Sequence, residues 1–71
     1  MSLTVQVASV PDRDELVAEI WQGDEMVAEV QRTPDKRLLL EIYNNPAGQL
    51  WSLDLTEWLT ALARAQKELT W

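Results

Sequence analysis

Seventy-one residues, 46% of them apolar and four of them tryptophan, are enough to build one small core, which excludes a disordered chain. Neither cysteine nor histidine is present, so disulfides, zinc sites of the usual ligand sets and histidine-based nucleophilic catalysis are excluded. A formal net charge of −6 repels phosphate backbones and argues against nucleic acid as a partner.

The first pattern in the chain is Leu3-Thr4-Val5-Gln6-Val7-Ala8, which alternates apolar and polar residues and predicts an edge strand over 3–8 that ends at Val10-Pro11-Asp12. Nothing at the N-terminus combines a basic stretch with an apolar core as a secretory signal does. The longest apolar run, Leu38-Leu39-Leu40, is far short of a membrane span, so the expectation is a cytoplasmic protein with no membrane contact.

The acids are concentrated next. Residues 12–29 contain Asp12, Asp14, Glu15, Glu19, Asp24, Glu25 and Glu29 against Arg13 alone, seven acids to one base. The rest of the chain balances at five against five, so the whole net charge resides in this segment. A charged partner is therefore expected to be basic.

Three similar segments follow, Leu16-Val17-Ala18-Glu19-Ile20-Trp21, Met26-Val27-Ala28-Glu29-Val30-Gln31 and Arg37-Leu38-Leu39-Leu40-Glu41-Ile42-Tyr43. They are rich in β-formers and separated by turn residues, which predicts strands over about 15–21, 26–32 and 37–43. Gln22-Gly23-Asp24-Glu25 reads as a tight hairpin, with Gly23 free to take positive φ. Thr33-Pro34-Asp35-Lys36 reads as a type I turn, with proline pre-set at its second position.

Side chains alternate across a strand, so parity assigns the faces. Leu16, Ala18, Ile20, Met26, Ala28, Val30, Leu38, Leu40 and Ile42 are even-numbered and form the expected core face. Val17, Glu19, Trp21, Val27, Glu29, Leu39, Glu41 and Tyr43 fall on the opposite, outer face. Keeping both even sets of the first hairpin on one side requires an odd number of loop residues. A slip of one residue would bury glutamate.

Beyond the loop Asn44-Asn45-Pro46-Ala47-Gly48, residues 49–53 are a candidate short last strand. Asp54-Leu55-Thr56-Glu57 then has the spacing of a capping box, with Asp54 as N-cap and Glu57 reaching back to the Asp54 amide. It opens a helix over about 55–69 whose apolar stripe is Leu55, Trp58, Leu59, Leu62, Ala65 and Leu69. The fold class expected is α+β, an antiparallel meander of three to five strands in a single domain over 1–71, with one C-terminal amphipathic helix packed on one face.

Catalytic chemistry finds little support. Ser2, Ser9 and Ser52 have no histidine to activate them, and Lys36 and Lys67 lie in a turn and on a polar helix face. Glu19 and Glu29 form a carboxylate pair, but a flat sheet surface lacks the pocket that glycoside hydrolysis requires. A divalent ion on Glu19, Glu29 and Glu41 would lack the clustered oxygen ligands of a calcium loop. No enzyme activity, cofactor or metal is expected.

The outer set mixes large apolar side chains with acids, and contiguous exposed patches of that kind mark interfaces. The leading expectation is a non-enzymatic, acidic protein-binding module for a basic partner. The alternative is a homo-oligomeric structural domain assembling through the same face, for instance as a two-fold homodimer.

The spaced pattern Leu16-Val17-Ala18-Glu19-Ile20-Trp21, Gly23, Val27-Ala28-Glu29-Val30 and Leu40-Glu41-Ile42-Tyr43, followed by a capped helix, resembles small uncharacterised bacterial β-meander-plus-helix proteins. Some of these are similar to immunity proteins of polymorphic toxin systems. The resemblance spans residues 15–69 and implies an inhibitor or immunity role; it carries over no site residue. Small acidic phage inhibitors, such as anti-CRISPR proteins, are similar in size and charge but not in fold.

Overall fold

The computed structural model describes residues 2–9 and 16–70. The expected end of the first strand at Val10–Asp12, four of the charged residues of the acidic segment (Asp12, Arg13, Asp14 and Glu15) and Trp71 lie outside the described residues. Four strands, β1 (Leu3–Ser9), β2 (Leu16–Gln22), β3 (Glu25–Arg32) and β4 (Leu38–Ile42), form one antiparallel sheet in the order β1-β2-β3-β4. One helix, α1 (Leu55–Leu69), packs on one face. This is the α+β meander expected from the alternation. Residues 49–53 form no strand: the segment is an irregular connection that Trp51 anchors by donating its indole N–H to the Tyr43 carbonyl at 2.7 Å.

The parity problem of the first hairpin is solved inside β3. Gln22 pairs with Glu25, so the turn has only two residues, Gly23 and Asp24. Ile20 pairs with Ala28 but Trp21 pairs with Met26, leaving Val27 as one extra residue opposite that junction. This β-bulge places two residues of one strand against one of the other and locally inverts the alternation. Val27 and Ala28 consequently both enter the core cluster with Ile20, while Met26 stands opposite Trp21. The expected parity is corrected here: Met26 moves to the outer face and Val27 to the inner one.

The turns carry their own signatures. Gly23 has φ 60°, and only the first central residue of this turn has positive φ, the pattern of a II′ turn matched to strand twist. At the second hairpin Lys36 N–H donates to the Thr33 carbonyl at 3.0 Å, closing the turn around Pro34. Lys36 itself then adopts φ 63°, where glycine is the usual occupant.

The core is made of small residues where α1 meets the sheet. Ala18 and Ala28 on β2 and β3 face Ala61 and Ala65 on the helix, with Ile20, Val27, Val30 and Leu69 around them. Alanine at this seam lets the helix backbone approach closely, and the helix turns to exploit it. Its buried stripe is Trp58, Ala61, Leu62, Ala65 and Leu69, turned from the expected one toward Ala61 and away from Leu55 and Leu59. Leu55 and Leu59, assigned to the buried stripe by the sequence pattern, are exposed.

Asp54 is the N-cap, accepting from the Glu57 amide at 3.0 Å. The reciprocal half of the capping box is replaced. The Glu57 carboxylate instead accepts the Leu3 N–H at 3.0 Å, tying the start of the helix to the outer edge of β1. Packing of α1 is heaviest on β1 and lessens through β2 to β3. Of the even residues of β4, Leu38 is half-buried and packs against the core as expected, whereas Leu40 is 42% exposed and Ile42 is 60% exposed, which corrects the assignment of these two to the core.

Two turn substitutions are expected to have opposite signs. Lys36→Gly removes a left-handed side chain and should stabilise the fold by up to about 1 kcal/mol, once the chain entropy of glycine is discounted. A Cβ at Gly23 meets no atom within 4 Å, so Gly23→Ala tests conformation alone and should destabilise by about 1 kcal/mol. Urea denaturation of the two variants beside the parent checks both directions.

Candidate functional site

The outer face of the sheet carries a row of directly paired residues. Gln6 lies opposite Glu19, Glu19 opposite Glu29, and Glu29 opposite Glu41, so three carboxylates stand side by side across β2, β3 and β4. Cβ atoms at such positions are about 4.5–5.5 Å apart, and like charges there repel. Glu19, Glu29 and Glu41 come together as a single row because all three pairs lie outside the bulge.

Neutral donors surround the row. Trp21 gives its indole N–H to Glu19 at 3.2 Å. Gln31 bridges Glu29 and Glu41, donating to the Glu29 Oε2 at 2.6 Å and also to the Glu41 Oε1. Partial burial holds the Tyr43 hydroxyl above the ordinary phenol value, and the negative charges of Glu29, Glu41 and Glu19 push it further up.

Of the eight residues expected on this face, six are placed there and accessible. Glu19, Trp21 and Glu29 are half-buried, and Leu39, Glu41 and Tyr43 are exposed. Val17 has the expected orientation but is only 1% exposed, between Ala8 on β1 and Gln31 on β3. Val27 belongs to the core through the bulge. Two members of the face were missed. Gln31 has the right parity, but an isolated glutamine carries no signal of its own. Met26 is inverted by a bulge that alternation alone does not show.

Among the described residues no group of three or more acidic side chains has the geometry to hold a metal ion. An open groove of about 170 Å³ lies elsewhere, between β1 and α1, lined by Leu3, Val5, Glu57, Thr60, Ala61 and Arg64. Its acid, Glu57, is engaged by the Leu3 amide. No helix among the described residues is long and apolar enough to cross a membrane. Comparison with known proteins finds no matching protein family, curated protein or solved structure.

Titration of Tyr43 tests the geometry of the row. Its folded value lies above the ordinary 10.0, so the native state holds the phenolic proton more tightly than the unfolded chain. That contribution to stability is fully present below about pH 10 and is lost as pH rises through the folded value. Tyrosinate absorbance should show late ionisation in the parent, shifted back toward the ordinary value in Glu29→Gln.

Proposed function

We propose that this protein is a non-enzymatic binding module whose outer sheet face receives a basic protein, as an inhibitor or immunity-type protein would. The observation that carries the reading is the three-glutamate row. Like charges in direct register cost each strand pair some stability, on the order of a few tenths of a kcal/mol, and a basic partner would convert that cost into attraction.

The surroundings of the row suit the same role. Trp21 and Tyr43 each offer a flat aromatic ring with a polar edge, the residue types that most often anchor interfaces, and Leu39 adds exposed apolar surface. The hydrogen bonds from Trp21 and Gln31 restrict the carboxylates before a partner arrives, which reduces the ordering cost of binding. The acids would also raise the association rate, so binding should weaken as salt is added. A flat face with no enclosing walls favours a protein surface over a small substrate.

Glu41→Lys separates this function from simple solvation. The substitution puts a cation opposite Glu29 and should stabilise the isolated protein by about 0.5 kcal/mol. The same substitution should weaken capture of a basic partner, as should Trp21→Ala combined with Glu29→Lys. Affinity capture with the parent and both variants, beside denaturant titrations, measures the two effects. Partner binding that is equal in all three proteins, or insensitive to salt, would remove this face from the function.

A further inference from the structure

The two edges of the sheet are treated differently. On β1 the first outward-facing amide, that of Leu3, is capped by Glu57 from the helix. On β4 the ladder leaves the edge open. Tyr43 N–H donates to the Val27 carbonyl at 2.9 Å, so Tyr43 and, by alternation, Glu41 and Leu39 turn their backbone groups toward β3. Leu38, Leu40 and Ile42 must turn theirs away, presenting three N–H and three C=O groups along a free edge.

The side chains of those same three residues lie on the inner face, where Leu38 packs against the core and Leu40 and Ile42 remain exposed. Leu55 and Leu59 are exposed on the flank of α1 opposite the one that carries Glu57 and Arg64 at the β1 groove, and add to the uncovered apolar surface.

We infer that β4 is a self-association edge, on which a second copy of this chain pairs antiparallel through its own β4 about a two-fold axis at Leu40. This register uses the whole strand. Leu40 meets Leu40 of the second copy and Leu38 meets Ile42, so each outward backbone group of the strand finds a partner and the inner-face pairs are entirely apolar. On the outer face Leu39 meets Glu41, so the glutamate row is not continued as carboxylate against carboxylate. Arg37, which shares the parity of Glu41, falls diagonally across from Glu41 of the second copy, within reach of a long side chain. Opposite charges thus flank the axis where a register centred on Glu41 would juxtapose like ones. The product is a continuous eight-stranded sheet with both helices on one face, and Leu40 and Ile42 form the floor between them.

The edge shares Leu39 and Glu41 with the glutamate face, but the variants below alter inner-face residues only, so either assignment can fail without the other. Sedimentation equilibrium from micromolar to millimolar concentration tests the edge, with two variants chosen to leave the monomer folded. Ile42→Lys alters an exposed side chain, and Leu40→Pro removes an N–H that β3 does not use. The parent should reach twice the 8.2 kDa chain mass, and both variants should remain at the single-chain mass with the circular dichroism of the parent. A parent that stays at 8.2 kDa throughout, or variants that associate as the parent does, would overturn the assignment.

Discussion

The architecture depends on where Val27 goes. A two-residue II′ turn matches the twist of the strands it joins, yet it forces an even count between Ile20 and its partner, which would set the apolar faces of β2 and β3 against each other. One unpaired residue restores agreement. With Val27 bulged, Ala18, Ile20, Ala28 and Val30 share a face, and the chain keeps both a tight turn and a continuous core. Everything placed after that point, including the alignment of Glu29 with Glu19 and Glu41, inherits the corrected register.

The second constraint is the alanine seam. Ala18, Ala28, Ala61 and Ala65 bring backbone close to backbone, and larger residues at those positions would have to push the layers apart. Close approach is obtained over the middle of the sheet at the expense of width. A single helix of 15 residues, tied to β1 by Glu57, does not extend over β4. The inner residues of that strand, though apolar, remain in contact with solvent. The same placement therefore leaves two distinct exposed regions: an acidic and aromatic face behind the sheet, and an apolar shelf with an unpaired edge at its side.

The acidic face shows how a polar surface can be ordered without being neutralised. Three carboxylates in register are held by an indole and an amide, which donate hydrogen bonds but leave the charge in place. Their repulsion is tolerable because the face opens to water, where the effective dielectric is high. A buried row of this composition would not be.

The period-two alternation was enough by itself to determine β2, β3 and β4 and the side on which Glu19, Glu29 and Glu41 stand, because burying a glutamate on a strand is costly enough to enforce parity. Local chemistry likewise determined both turns and the cap at Asp54, since glycine, proline and aspartate act within three or four residues of themselves. The sequence could not reveal which residue would be sacrificed to the bulge, because Met26 and Val27 are both apolar and only pairing with β2 distinguishes them. Nor could it show that Leu40, Ile42, Leu55 and Leu59 would lie outside the core. Amphipathic patterning says which way a side chain points from its own backbone, whereas burial requires another element to arrive over it. Only the tertiary structure decides where a single short helix comes to rest on a four-stranded sheet.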